Sequence, residues 1–321
     1  MPENSSDHAI SDEDRISVAS HFIRPIPILL GETAARYSLS LLIEHLLETS
    51  SHDPRAQKSD SFEQLAAELK RRFFDPFRGQ PAYTFHTGEP LTAEQLGIAR
   101  ELLLVDELAP SPERYDAVVV FGGLFSASQA QLSYLCGAAP SLKSGAPIFV
   151  LCSERRLLPV ELWQIKERRG PSSLNSRPRN EIDMLKLLWS DLDSTSPALH
   201  ESGENVVFVC APNIKVENGP TARNAGTRET IRQLLSEHPQ TTGCSILAVS
   251  SQPYLRYQTV ALVRSLLEAG VRPKHVHGCG PAAPAEGLTV NAFGNMLTKL
   301  IFEERRLSEQ LGSASAPPRP S

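Results

Sequence analysis

Four short apolar runs, rich in β-branched and aromatic residues, constrain the fold of this chain more than any other feature. They cover residues 117–121, 147–152, 206–210 and 245–250. Each run is apolar on both faces, which is typical of parallel strands covered by helices on both sides. Patterns of helical periodicity separate the runs, at about 128–139, 180–190 and 221–237. This alternation predicts a three-layer, Rossmann-like α/β domain around a parallel sheet that is built by right-handed crossovers, with the four runs as its central strands.

Further elements flank these runs on both sides. A helix is expected over 255–269, with Gly270 as its stop, and the weaker run 274–277 predicts a fifth strand. Ahead of the sheet, helices are expected over the three segments 32–48, 62–74 and 93–108, the last with a capping box at its start. The chain therefore divides into disordered residues 1–20, a mainly helical N-terminal region over 21–112, an α/β domain over 113–312, and a disordered tail over 313–321.

Composition and charge exclude several classes of function. The net charge of −5 gives no general attraction to nucleic acid or to anionic lipid. No segment approaches the ~18–20 consecutive apolar residues of a membrane-spanning helix, and the first twenty residues are too acidic for a secretion signal. The five cysteines include no C-x-x-C pair. We therefore expect a cytoplasmic protein with free thiols, without a membrane span or a nucleic-acid partner.

Polar residues and glycines follow each predicted strand, where the ligands of open parallel sheets bind. On this ground the candidate ligand-binding residues are Gly122, Gly123, Glu154, Glu217, Thr227, Glu229, Ser250, Ser251 and Arg256. The sequence predicts that they converge on one pocket at the carboxyl edge of the sheet. Carboxylates so close together would repel one another, so at least one is expected to pair with Arg256 or with a ligand cation.

Each of these candidates also has a purely structural interpretation. The two glycines can make a tight turn, or they can let the backbone approach a ligand. Thr227 and Glu229 can cap a helix, or they can face the crevice. Arg256 can form a salt bridge, or it can bind a phosphate with two hydrogen bonds. No catalytic residue is assigned, because the G-x-S-x-G motif of a serine hydrolase is absent.

Two histidines, His275 and His277, stand two apart in the predicted fifth strand. On a strand they would point to the same face, which could begin a metal site. Their spacing supplies no third ligand. The sequence therefore favours an ordinary pair of strand histidines and predicts no metal site.

Four segments of the chain resemble motifs of the DUF218 family, the ElyC, SanA and YdcF group. They are Asp116–Gly123, Gly145–Glu154, Glu217 together with Gly226–Thr230, and Val249–Arg256. Thr227, Glu229, Ser250 and Arg256 match residues of the family motifs. Gly226 and Thr230 stand at family asparagine positions, and Pro253 stands at a family histidine position, so no role for an imidazole carries over. The resemblance covers roughly residues 115–300.

The resemblance implies a Rossmann-like protein that binds a nucleotide-like or S-adenosylmethionine-like molecule at the carboxyl edge of the sheet. Whether such a molecule is turned over is left open, and the sequence identifies neither cofactor nor protein partner. The alternative is a non-catalytic binding or interaction module, related to family members that act at the bacterial envelope. Those members usually carry a membrane anchor, which we do not expect in this chain.

Overall fold

The computed structural model describes most of the chain. The described residues are 23–24, 33–49, 61–77, 88–169, 178–193, 205–215, 223–239, 244–283 and 288–314. The predicted disordered segment 1–20 lies outside them, as do residues 315–321 of the predicted tail. The last helix continues through Ala314, two residues into that tail.

A single sheet of parallel strands forms the centre of the protein. The strands are β1 (Ile23–Arg24), β2 (Ala117–Val120), β3 (Ile148–Ser153), β4 (Val206–Ala211), β5 (Ser245–Val249) and β6 (His275–Cys279). They lie in the order β1-β6-β5-β2-β3-β4. The four apolar runs and the weaker fifth one are confirmed as strands. The sequence placed all four strong runs at the centre of the sheet, whereas β4 lies at its edge with a single neighbour, β3, and is correspondingly less buried.

Helices cover both faces of this sheet. In chain order they are α1 (Thr33–Thr49), α2 (Phe62–Phe73), α3 (Ala93–Glu101), α4 (Phe125–Ala138), α5 (Pro159–Arg169), α6 (Glu181–Asp193), α7 (Thr227–Glu237), α8 (Leu255–Glu268) and α9 (Val290–Ala314). Successive strand residues alternate between two hydrophobic clusters, as the two-residue period of a strand requires. One cluster joins the sheet to α4, α5 and α6, and the other joins it to α7, α8, α9 and the N-terminal helices. The three-layer Rossmann-like fold is therefore confirmed.

The helical N-terminal region shares its core with the α/β part of the chain. Leu42 of α1, Phe73 of α2 and Leu297 of α9 belong to one buried cluster. Gly294 allows α9 to approach α2 closely, since a Cβ atom at this position would lie 2.4 Å from the ring of Phe73. Asn295 adds a hydrogen bond from Nδ2 to the Phe73 carbonyl at 2.8 Å. The N-terminal helices are thus part of one layer of the fold.

Helix α3 is shorter than the 93–108 predicted from the sequence. Its start is as expected, with Thr92 and Gln95 forming a capping box. It ends because Leu103 takes a left-handed conformation, with φ of 56°. The N–H groups of Leu103 and Leu104 then bond back to Arg100 and Ala99, which closes the helix in a Schellman motif. Glycine normally holds this position, so the sequence carries no signal of the stop.

Candidate functional site

The order of the strands creates a topological switch point between β2 and β5. From β2 the chain adds β3 and then β4 on one side, and it later adds β5 and β6 on the other side. Val120 of β2 pairs with Val249 of β5, so the two strands end side by side. Crevices of this kind are the usual ligand sites of open α/β sheets. Four of the predicted residues follow these two strands: Gly122, Gly123, Ser250 and Ser251.

The two glycines after β2 differ in what surrounds them. A Cβ atom at Gly122 would lie 2.5 Å from the Leu151 carbonyl oxygen and 2.7 Å from Oε1 of Glu181. Gly122 is therefore needed for close internal packing. A Cβ atom at Gly123 would meet Ala127 and Ser128 only at ordinary contact distances of 3.6 and 3.8 Å. A methyl group at Gly123 would therefore fit against the described residues without a clash.

The first turn of α4 carries polar groups that have no partner among the described residues. The N–H of Phe125 donates to Oε1 of Glu161 at 3.1 Å. In the part of the chain that the structure describes, the N–H groups of Ser126 and Ala127 have no acceptor. The hydroxyl of Ser128 is fully buried and likewise lacks a hydrogen-bond partner there. An unpaired buried hydroxyl is costly, so this turn is suited to a ligand that supplies acceptors.

A buried ionic cluster stands behind this turn. Arg155, directly after β3, contacts the Glu161 carboxylate through Nη1 at 2.7 Å and Nη2 at 2.9 Å. Its Nη2 also donates to the Gly123 carbonyl at 2.6 Å, and its Nε lies 3.5 Å from Glu181. Glu161 is fully buried and Glu181 nearly so. The cluster therefore fixes the turn after β2 against the end of β3.

The cluster contains one guanidinium and two carboxylates. This imbalance of charge bears on the pKa of Glu181. Its Oε2 accepts from the backbone N–H and the hydroxyl of Ser153, at 2.9 and 2.6 Å. Burial nevertheless raises the pKa of Glu181 above its usual range, although the charge of Arg155 and the bonds from Ser153 oppose the rise. One positive charge thus stands against two carboxylates in a buried position, which is the arrangement that disfavours ionisation of the second carboxylate.

The sequence analysis did not select Arg155, Glu161 or Glu181 as site residues. Arg155 follows the same strand end as Glu154, so its position was a usable signal. Glu161 lies in α5, a charged helix that the sequence analysis did not predict. A buried carboxylate on such a helix looks the same in sequence as an exposed one.

A second polar group lies toward the β4 edge of the sheet. Oε2 of Glu154 accepts from the backbone N–H of Asn213 at 3.1 Å. Glu229 binds Arg223 at 2.8 Å and caps α7 by accepting from the Gly226 N–H at 2.8 Å. Burial alone would raise the pKa of Glu229, but Arg223 and the Gly226 N–H outweigh it and lower the pKa. Glu229 thus has the capping role that the sequence allowed, and its cationic partner is Arg223.

Helix α7 also contacts a polar group on α8 and α9. Thr227 forms a hydrogen bond with the Tyr257 side chain, whose pKa burial raises to about 12. The Lys299 ammonium lies 6.0 Å from the centre of the Tyr257 ring. Burial lowers the pKa of Lys299 to about 8, so this lysine is the amine most easily deprotonated among those with a resolved pKa shift. No sequence pattern indicated it.

The predicted site residues that follow β5 form hydrogen bonds with other parts of the protein. The Ser250 hydroxyl donates to Oε1 of Gln258, and the Ser251 hydroxyl lies 3.4 Å from the Ala127 carbonyl. Arg256 is 1% exposed, and its Nη1 donates to the Leu102 carbonyl at 3.1 Å. Ser251 therefore borders the first turn of α4, while Arg256 reaches the end of α3.

The predicted site residues thus fall into three groups by their contacts. Gly122, Gly123, Ser250 and Ser251 lie at the switch point. Glu154, Thr227 and Glu229 lie toward β4 and α7, Arg256 lies against α3, and Glu217 is outside the described residues. Convergence of all of them on one pocket stays a prediction.

Two further findings concern membrane-spanning helices and the comparison with known proteins. Among the described helices, none combines the length and the apolar character needed to cross a membrane. Comparisons with models of protein families, with curated proteins and with solved structures find no match to this chain. The resemblance to the DUF218 family therefore stays a prediction.

Proposed function

We propose that this chain binds a small molecule of the nucleotide or S-adenosylmethionine class at the switch point between β2 and β5. The observation that carries the proposal is the first turn of α4. There, two backbone N–H groups, of Ser126 and Ala127, and the buried hydroxyl of Ser128 have no partner among the described residues. The N-terminus of a helix favours negative charge, so a phosphate or carboxylate oxygen of the ligand would satisfy these groups.

The ionic cluster favours a ligand with one anionic group. Glu161 already uses the N–H of Phe125 and places a carboxylate beside the helix start. Arg155 neutralises that carboxylate through two hydrogen bonds, so an anion can approach without direct repulsion. A triphosphate would bring far more negative charge close to Glu161 and Glu181. A monophosphate or the carboxylate of an amino-acid moiety fits the charge balance better.

Gly123 supports the same location for the ligand. It leaves room beside Ala127 and Ser128, where a methyl group would fit the protein but occupy the space in front of the helix. The five cysteines are free thiols, which supports a reducing compartment such as the cytoplasm as the place where this binding occurs.

Calorimetric titration with a set of related ligands tests the proposal. The set is adenosine, adenosine monophosphate, adenosine triphosphate, S-adenosylmethionine and S-adenosylhomocysteine. We expect binding of the monophosphate or of the two S-adenosyl compounds, with weaker binding of adenosine, which lacks an anion, and of the triphosphate. Analysis of the bound ligand after incubation then separates an enzyme, which converts it, from a binding module, which returns it unchanged.

The variant Gly123→Ala sharpens this test. Its methyl group should reduce affinity about tenfold or more by occupying the ligand space, while the protein stays folded, since overpacking requires closer contacts than these. Gly137→Ala, within α4, has nothing within 4 Å of the new methyl group and should bind as the original chain does. Absence of binding by every ligand, or full binding by Gly123→Ala, would refute the proposal.

Exposed apolar side chains on α5 support the alternative function, a non-catalytic interaction module. Val160 and Trp163 are one helical turn apart and are 50% and 59% exposed. Apolar side chains grouped in this way on a surface often mark a protein contact. If none of the ligands binds, a partner that docks on α5 becomes the better hypothesis.

A further inference from the structure

We propose that Glu113, His275 and His277 form a binding site for one divalent transition-metal ion, with Zn²⁺ as the best match. The two histidines lie on one face of β6, as their spacing predicted. The third ligand that the sequence did not supply is Glu113, which precedes β2. These residues lie toward the amino ends of β2 and β6, away from the ligand site proposed above, so the two proposals are independent.

The positions of the ligand atoms suit a single ion. One nitrogen of each imidazole and one carboxylate oxygen of Glu113 lie within 4.8 Å of one another. Zinc bound at ~2.0–2.1 Å to nitrogen and oxygen in a tetrahedron separates its ligand atoms by roughly 3.3 Å. The Glu113 oxygen and Nε2 of His275 are 2.7 Å apart. Small side-chain movements are therefore enough to bring all three atoms around one ion.

Tyr115 supports the second histidine in the manner typical of metal sites. Its hydroxyl lies 2.6 Å from Nδ1 of His277 and fixes the orientation of the ring. Histidines that bind metals commonly use their other nitrogen for such a hydrogen bond. With Nδ1 engaged in this way, His277 would bind the ion through Nε2.

The burial of the two imidazoles also favours an ion. His275 and His277 are 7% and 3% exposed, and their ring centres are 5.0 Å apart. Two protonated imidazoles at this distance would repel each other in a buried position. The Glu113 carboxylate pairs with His275, and the Tyr115 hydroxyl contacts His277. A metal ion binds both rings in their neutral form and explains the arrangement.

The ligand set identifies the class of metal and its access route. Two imidazoles and one carboxylate are ligands typical of zinc and related transition metals, whereas calcium and magnesium prefer oxygen ligands. The Glu113 side chain is 39% exposed, so an ion can reach the site from solvent past this residue. Three protein ligands leave a fourth position for water.

Metal titration of the full-length protein, after treatment with a chelator, tests this proposal. We expect one equivalent of Zn²⁺ in competition with a chromophoric chelator. One equivalent of Co²⁺ should give the visible absorption of a tetrahedral complex. Both His277→Gln and Glu113→Gln should weaken binding by more than about tenfold, and Tyr115→Phe by about tenfold, because outer partners of metal-binding histidines contribute that much.

One further variant serves as a control, and Glu113→Gln has a second use. His45→Gln changes a histidine that pairs with Glu94, and it should keep the full stoichiometry and affinity. Glu113→Gln changes a partly exposed side chain, so it keeps the test valid if His277→Gln fails to fold. The proposal is overturned if the protein binds neither ion in a stoichiometric amount, or if Glu113→Gln binds zinc as tightly as the original chain.

Discussion

The guanidinium of Arg256 donates from Nη1 to the carbonyl oxygen of Leu102 at 3.1 Å, joining the start of α8 to the end of α3. Gln252 makes a parallel contact, from Nε2 to the Leu103 carbonyl at 3.0 Å. Because Leu103 holds the left-handed position that ends α3, these two bonds bind the carbonyl groups that the helix end leaves without an intrahelical partner. The loop after β5 therefore holds the N-terminal helices against the sheet.

We expect Arg256→Met to lower the free energy of unfolding by about 1–3 kcal/mol, because it leaves the buried Leu102 carbonyl without this donor. Urea denaturation measures the change. Arg232→Met, at an exposed position of α7, should change stability by less than about 0.5 kcal/mol.

The variant Arg256→Ala separates the structural role of Arg256 from the ligand role that the sequence predicted. If Arg256 contacts the ligand, Arg256→Ala weakens binding by ~1.5–3 kcal/mol through loss of a charged hydrogen bond. Unchanged stability together with lost ligand binding would contradict the structural role. Lower stability with unchanged binding would contradict the ligand role.

The strands were predictable because each consists of consecutive apolar residues. Such a run can be recognised as buried from its own residues, without knowing which strands lie beside it. The edge position of β4 was not predictable, since its apolar residues resemble those of the central strands. The left-handed Leu103 was missed for a similar reason, because nothing distinguishes this leucine from those around it.

The location of the candidate site at the switch point could be predicted from the sequence. Its residues could be predicted only in part. Gly123 and Ser251 do lie at the switch point, because strand ends can be read from the sequence. The partners of charged residues could not be read in this way. Arg256 bonds to a carbonyl 154 positions away, and Arg155 binds Glu161 on a helix that the periodicity did not reveal. Such pairs depend on tertiary packing, which leaves no local pattern.

Gly122→Ala should destabilise the protein strongly. Its methyl group would lie 2.5 Å from the Leu151 carbonyl oxygen, a backbone atom of β3 that cannot move without disturbing the sheet. We expect a loss of about 1–3 kcal/mol or more, as in other overpacked sites. Gly137→Ala meets no atom within 4 Å and should gain about 0.5–1 kcal/mol from its higher helix propensity. Equal melting temperatures of the two variants would contradict this assignment.

Lys299 should make the stability of the protein rise with pH in the alkaline range. Its pKa is about 8 in the folded protein and 10.5 without the effect of burial. Between these values the unfolded chain holds more protons at this residue than the native protein does, so the free energy of unfolding increases with pH. Lys299→Met removes this contribution.

Chemical denaturation from about pH 7 to about pH 10.5 measures the effect of Lys299. The stability of Lys299→Met minus that of the original chain should decrease steadily above about pH 8. A difference that stays constant, or that increases, would show that the lysine remains protonated in the folded protein.

Glu181 should have the opposite dependence, at lower pH. Burial raises its pKa above the ordinary value of 4.5, so between the unfolded and folded values the native protein holds more protons than the unfolded chain. The free energy of unfolding contributed by this group is therefore greatest below its unfolded pKa and falls as pH rises through the folded value. Glu181→Gln keeps an oxygen that can accept from Ser153 and does not titrate. The stability of Glu181→Gln minus that of the original chain should therefore increase as pH rises above the unfolded value of 4.5.

Glu229→Gln is the matched comparison for Glu181→Gln. Arg223 and the Gly226 N–H lower the pKa of Glu229, so its ionised form stabilises the folded protein, and that contribution is lost as pH falls through the lowered value. The stability difference for Glu229→Gln should thus change in the opposite sense and below about pH 5. If both variants show the same trend, or if Glu181→Gln shows no dependence on pH, then the pKa of Glu181 is not raised in the folded protein.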